Sequence, residues 1–226
     1  MNILTTVISL FVLLFAITIH EASHAWAAMK MGDPTAYAMG RVSLNPIVHI
    51  DLLGTIILPL LLVLVGAPAF GWAKPVPVNP YNLRHPRRDN LWVSLAGPAA
   101  NFTAAAAGLV LISILKVVSP GITRFLYAFL IAGYRVPPGF YPLEGLALIL
   151  FFAVLINAYL AVFNLIPVPP LDGSGILAGL LSDRAAAAYD RLRPYGFVIV
   201  ILLISFGFLS IIMQPIELLI KVIVFF

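Results

Sequence analysis

The sequence predicts an all-α polytopic membrane protein with about five to six transmembrane or re-entrant helices and short membrane-associated β segments. Three observations predict it. Of the 226 residues, 62% are hydrophobic and 10% charged, against about 25% charged in ordinary soluble domains. The mean hydropathy of +1.07 implies more apolar surface than a soluble fold of this size can hide. Several apolar stretches also reach the length of a bilayer crossing, about 20 residues. A soluble globular enzyme is excluded, and the surrounding solvent is a lipid bilayer. With no cysteine in the chain, disulfides, thiolate metal sites and thiol catalysis are excluded as well. The net charge of +4 reads as a topology signal, not as a nucleic-acid footprint.

The elements follow in order. Asn2 to Ile19 is uncharged and runs without a break into His20-Glu21-Ala22-Ser23-His24. Met1-Asn2 supplies no basic flank and no cleavage pattern follows, so this stretch is expected to be a retained first helix. Leu52 to Ala73 is uncharged but interrupted by Pro59, Gly66 and Pro68. Leu91 to Leu115 is uncharged and alanine-rich, and Gly145 to Leu171 is uncharged and ends in a proline cluster. Pro194 to Ile216 is the fifth stretch, followed by the apolar tail Leu218 to Phe226 with Lys221 inside it. Between them, Tyr37–Leu44 and Gly71–Val78 look extended; Pro75 and Pro77 confine the second to an edge strand or polyproline geometry. Non-helical backbone beside a membrane survives where protein or a water-filled cavity satisfies it, so both segments are candidates to line a site, with ordinary surface loops as the alternative. The whole, 1–226, reads as one domain.

Lys and Arg give an orientation. The loops Ala25–Asp51, Lys74–Asn90 and Asp172–Arg193 carry nine of them, Lys116–Glu144 three, which places the first three loops in the cytoplasm. For two successive loops to share a side, Leu52–Ala73 must dip in and return.

The sharpest chemical signal is His20-Glu21-Ala22-Ser23-His24. Residues four apart share a helix face, so both imidazoles can point at one ion. Glu21 is rotated about 100° from His20, where it can reach a metal-bound water without occupying a coordination position. Zinc brings such water to a pKa of about 7, and a carboxylate can then take its proton. Chance gives roughly one such match per thousand sequences of this composition, and ionisable groups at the end of a lipid-buried run are costly unless they have a function. A catalytic zinc site takes three protein ligands and one open position. For the third, Asp172 stands out. It follows Asn164-Leu165-Ile166-Pro167-Val168-Pro169-Pro170-Leu171, whose prolines break the helix. An acid there either faces inward or caps the helical segment Gly173–Leu181.

The two motifs together, HExxH in the first apolar helix and NxxPxPPLDG in a later one, resemble the site-2 protease family of intramembrane zinc metalloproteases. The likeness continues in Gly40-Arg41-Val42-Ser43-Leu44-Asn45-Pro46 with His49-Ile50-Asp51, in Phe70 to Pro80, and in Ala96-Gly97-Pro98-Ala99-Ala100-Asn101. These match the compact prokaryotic branch, with neither a PDZ domain nor a nucleotide-binding regulatory domain. The resemblance implies one Zn2+ per chain held by His20, His24 and Asp172, with Glu21 activating water. It implies that Asn164 steadies the substrate carbonyl or oxyanion; an interhelical hydrogen bond is the competing role. Asn101 and Asn157 read as packing polar groups, and His49 with Asp51 as loop structure before a second layer around the metal or a gate. The implied activity is hydrolysis of peptide bonds within or near transmembrane segments of membrane-protein substrates, in the cell membrane and with the active site towards the cytoplasm. The substrate must unwind locally, and one of the two extended segments could hold it as an added strand. Two other classes compete: a metal-handling membrane transporter, and a catalytically silent scaffold of the same fold. A homo-oligomer is left open.

Overall fold

The computed structural model describes residues 3–58, 61, 64, 72–133, 135, 136 and 141–225. Helix α1 (Ile3–Lys30) is about 42 Å long at 1.5 Å per residue, enough to cross a bilayer with a turn to spare. Its hydroxyls are hidden by back-bonding: Thr18 donates to the Leu14 carbonyl (2.7 Å) and Ser23 to that of Ile19 (2.7 Å). The chain then turns at Gly32, φ +110°, where a β-carbon would also crowd the Asn82 carbonyl at 3.1 Å. A one-turn helix α2 (Thr35–Ala38) and short turns at Pro46–His49 and Leu52–Ile57 follow.

Helix α3 (Pro86–Val118) begins with proline at its first position, where the missing N–H costs nothing. Its Asp89 carboxylate accepts from the His85 backbone N–H at 2.7 Å. Next come α4 (Gly121–Ile131), α5 (Pro142–Asn164), α6 (Asp172–Leu180), α7 (Asp183–Asp190), α8 (Gly196–Ser205) and α9 (Phe208–Phe225). The main core lies where α3, α4 and α5 meet: Ile112, Phe125, Leu126, Phe129, Leu148, Phe151 and Phe152 are buried together. Phe129 meets Phe151 and Phe152 edge-on, with centroids 6.1 Å apart in each case, the arrangement that aromatic quadrupoles favour. α1 packs on α3, and α6 lies across α3 with Gly175 against Ser94 and Gly179 against Leu91.

Two expectations need correction. Instead of five or six spans, the described residues hold three helices long and apolar enough to cross a membrane (α1, α3, α5), or four if the pair Asp183–Ser205 and Phe208–Val222, bent by 61°, counts as one. α4 has 11 residues and is too short. α5 stops at Asn164, before the prolines, and not at Leu171. Most of 59–71 lies outside the described residues, with Pro59, Gly66 and Pro68, so the course of Leu52–Ala73 is not settled by them. The second correction concerns β structure: no strand occurs among the described residues. Tyr37 and Ala38 belong to α2, and Gly40, φ +70°, turns the chain after it. Residues 72–78 form neither a helix nor a ladder. Trp72 N–H donates to Gly54 O (3.2 Å) and Lys74 N–H to His49 O (2.9 Å), and no further backbone bond continues this pairing among the described residues.

The loops around α1 and α3 are tied by one carboxylate. Buried Asp33 accepts from the Thr35 N–H (3.1 Å) and hydroxyl, the Asn79 N–H (2.7 Å) and Asn82 Nδ2 (2.9 Å). Burial alone would raise its pKa, but these donors outweigh it and hold the carboxyl below its ordinary value. The folded state therefore binds this proton less well than the unfolded chain. Its stabilising effect is complete above the unfolded value, near pH 4, and is lost as pH falls through the lower folded value. Asp33→Ala is expected to lower stability by about 2 kcal/mol at neutral pH, read as a drop in thermal midpoint in detergent, with the gap from wild type shrinking as the pH is taken below 4.

Candidate metal centre

His20, Glu21 and His24 lie in the second half of α1. The imidazoles, one helical turn apart, are buried, with ring centroids at 4.6 Å in an edge-to-face pair. They face α3 where it presents Gly97. A β-carbon on Gly97 would lie 2.4 Å from His24 Nε2 and 2.6 Å from His20 Nε2, so this position must be glycine for the rings to sit where they do. Asp172 arrives from the other side. The break after Asn164 delivers it as the first residue of α6, with Leu171 in the capping position. It therefore points at the imidazoles and does not cap its helix: Oδ2 is 2.9 Å from His20 Nε2 and Oδ1 3.3 Å from His24 Nε2.

The hydrogen bonds on the far side of each ring fix which nitrogen carries the proton. His24 Nδ1 lies 2.7 Å from the Val93 carbonyl, which only accepts, so Nδ1 is the donor and, in the neutral ring, Nε2 bears the lone pair. His20 Nδ1 lies 2.6 Å from Asn101 Oδ1, and Asn101 Nδ2 donates to the Ala16 carbonyl at 3.1 Å. That carbonyl also only accepts, so the amide oxygen faces His20 and His20 Nδ1 is again the donor. The two Nε2 atoms are 3.0 Å apart. With both rings neutral, two lone pairs and a carboxylate thus converge, and the Asp172 oxygens face only the two Nε2 atoms at ion-pair distance. Such a set is repulsive until a cation sits within it. Its ligand atoms lie within 4.8 Å of one another, close enough to hold a metal ion. Two imidazoles and one carboxylate suit zinc.

The three residues open on a cavity of about 540 Å³. Glu21 and Asn164 line it, as do Trp72, Pro75, Val76 and Phe163. Arg41 is buried nearby; its Nη2 donates to the Lys74 carbonyl. Burial pulls the guanidinium below its ordinary pKa, and the negative charge of Glu21 opposes that. Asn164 Nδ2 donates to the Leu160 carbonyl of its own helix at 2.9 Å. His49 and Asp51 serve their loop: His49 Nε2 donates to the Ser43 carbonyl (2.8 Å), and Asp51 accepts from the Gly54 N–H (2.7 Å). His85 heads α3.

Sequence reasoning brought His20, Glu21, His24, Asp172 and Asn164 to one cavity and missed what orients the rings. Asn101 was read as packing, and neither Gly97 nor the Val93 carbonyl was singled out for the site. A signal existed. Gly97 and Asn101 are four apart, as His20 and His24 are, and two i,i+4 pairs on facing helices can meet turn against turn.

Comparison with known proteins agrees in kind. The profile of peptidase family M50 matches residues 8–207. The "Putative zinc metalloprotease YwhC" of Bacillus subtilis (strain 168) is 36% identical over 193 residues, 84% of this chain and 77% of that protein. The "Putative zinc metalloprotease Rip2" of Mycolicibacterium smegmatis (strain ATCC 700084 / mc(2)155) is 31% identical over 192 residues, covering 84% of this chain and 64% of that one. The protein of the same name from Mycobacterium tuberculosis (strain ATCC 25618 / H37Rv) is 25% identical over 190 residues, 84% and 63%. No solved structure matches the chain.

Gly97→Ala is expected to push both imidazoles out of line while leaving the helix intact. Titration of the purified protein with zinc against a chelating dye should then give an affinity at least about 10-fold weaker, with unchanged helical circular dichroism.

Proposed function

The chain belongs to peptidase family M50, and we propose that it is a multi-pass zinc metalloprotease that hydrolyses peptide bonds within or near transmembrane segments of membrane-protein substrates. The observation that carries this reading is the convergence of His20 Nε2, His24 Nε2 and Asp172 on one point beside a cavity that also holds a carboxylate, Glu21. His20, His24 and Asp172 hold one Zn2+ per chain. Bound there, zinc polarises a carbonyl and makes water nucleophilic near neutral pH. Glu21 accepts the proton of the attacking water and passes it to the leaving amine. Asn164, on the cavity wall, turns its amide from the Leu160 carbonyl to the developing oxyanion.

The substrate reaches this site from the bilayer and unwinds there, because helical carbonyls are engaged in i→i−4 bonds. Chain order with α1, α3 and α5 as spans puts 31–85 and 165–195 on one side, the side of the nine Lys/Arg residues. That side is the cytoplasm of a cell membrane, and Leu52–Ala73 enters and returns from it. The activity resides in a single domain, 1–226.

A transporter would spread acidic and histidine residues along a path; here His20, His24 and Asp172 meet at one point, with Glu21 on the same cavity. A silent scaffold would lack Glu21 or one of the three presumptive ligands, and all four are present.

Reconstituted in liposomes with a transmembrane peptide substrate, wild type should cleave. Glu21→Gln should retain zinc and lose at least about 10³-fold in rate. Equal rates would sink the general-base assignment, and zinc without cleavage in either protein would favour transport. Asn164→Ala should lower kcat about 10²-fold with a much smaller change in KM, because an oxyanion contact acts in the transition state.

A further inference from the structure

The two imidazoles are oriented by different kinds of partner. Val93 offers His24 a backbone carbonyl, which cannot reverse its polarity. His20 faces an amide, and an amide can. With the Asn101 side chain rotated by 180°, its NH2 would face His20 Nδ1. The proton would move to Nε2, and His20 would no longer have a lone pair for a metal. Something must hold Asn101 in one sense.

The Ala16 carbonyl does part of this at 3.1 Å. The shorter contact is to a third helix: Asn101 Nδ2 donates to Asn157 Oδ1 at 2.7 Å. Asn157 is itself an amide, and it is anchored in turn: its Nδ2 donates to the Ala153 carbonyl at 2.8 Å. The chain of bonds therefore has one direction, His20 Nδ1–H to Asn101, Asn101 to Asn157, Asn157 to Ala153. It ends on a backbone carbonyl that can only accept. Asn101 is fully buried and Asn157 nearly so, so water offers no alternative partner and a reversed amide would leave like groups facing each other.

We propose that Asn157, which makes no hydrogen bond to His20 or Asp172 among the described residues, is a positioning residue that sets the tautomer of His20 through Asn101, and so keeps His20 Nε2 free to bind the metal. This rests on the metal-site reading above. It gives the middle of α5 an indirect role in placing a metal ligand, besides Asn164 at the end of that helix on the cavity wall.

The test reads the tautomer itself. 15N spectra of histidine-labelled, metal-stripped protein distinguish protonated from unprotonated ring nitrogens, and the chain has only four histidines. His20 is assigned by its loss in His20→Gln. At a pH about two units above the ordinary imidazole value, wild type should show His20 protonated at Nδ1. Asn157→Leu removes the acceptor and should give a mixture of tautomers, with zinc affinity at least about 10-fold weaker. Asn157→Gln keeps both an acceptor and a donor on a longer arm; it should recover part or all of the wild-type tautomer. If the leucine variant does not fold, Asn157→Ser replaces it, since the shorter hydroxyl leaves Asn101 without its close acceptor. Two results overturn the proposal: His20 protonated at Nε2 in wild type, or a tautomer and zinc affinity unmoved in Asn157→Leu or Asn157→Ser. Failure of the metal-site reading is separately visible as wild-type protein that binds no zinc, while the tautomer comparison in metal-free protein still decides the role of Asn157.

Discussion

Two imidazole nitrogens and a carboxylate brought to one point are the constraint on which the rest of this structure depends. With both rings neutral, the lone pairs of His20 Nε2 and His24 Nε2 and the Asp172 carboxylate repel one another. A fold that holds them together must be overdetermined around them, and it is. The i,i+4 spacing on α1 stacks the rings. Gly97 gives them room against α3. Val93 and Asn101 tie their outer nitrogens. A cation at the centre would turn the repulsion into attraction, which is how such a group could hold a metal ion.

The same requirement explains features that look incidental. α6 can lie across α3 because Gly175 and Gly179 meet Ser94 and Leu91 without a β-carbon, and that approach sets the depth at which Asp172 enters. The proline loop before α6 is held from outside. Tyr189 donates to the Pro167 carbonyl at 2.9 Å, and Gly196 packs on the Pro169 carbonyl. A loop of three prolines has few N–H groups with which to hold itself, so α7 and the start of α8 supply the restraint. Elements far from the cavity thus act on the placement of one carboxylate.

Much of this was legible in the sequence for a simple reason. Metal chemistry demands particular side chains at helical spacing, and lipid demands long apolar runs; both leave marks in one dimension. His20, Glu21 and His24 fall on α1 as read. Asp172 required a guess about how a proline break redirects the chain, and the break proved to end α5 at Asn164 and launch α6 at Asp172. What was not legible depends on partners far apart in sequence. Asn101 is 81 residues from His20, and Asn157 is 56 further on; an asparagine in an apolar helix looks the same whether it packs or orients a ligand. The β segments misled because alternation and proline signal extended backbone, while a strand also needs a partner edge. Residues 72–78 have isolated bonds to Gly54, His49, Arg41 and the Thr55 hydroxyl.

Those isolated bonds also bear on how a substrate would be held. Trp72 and Lys74 direct their N–H groups to Gly54 and His49, and the Lys74 carbonyl receives Arg41. In an extended chain the N–H and C=O of residues 73, 75 and 77 point the opposite way. Two of these are prolines, so that edge offers carbonyls at all three positions but an N–H only at Ala73. An unwound substrate segment laid along it, on the proposed reading, would be gripped chiefly through its own N–H groups. Its carbonyls would be left largely without donors from this wall. That is the polarity a protease needs, since the scissile carbonyl must remain free to face the cation and the amide of Asn164 across the cavity. A full β-ladder here would compete for the atom that has to be attacked, and the prolines at 75 and 77 remove that competition.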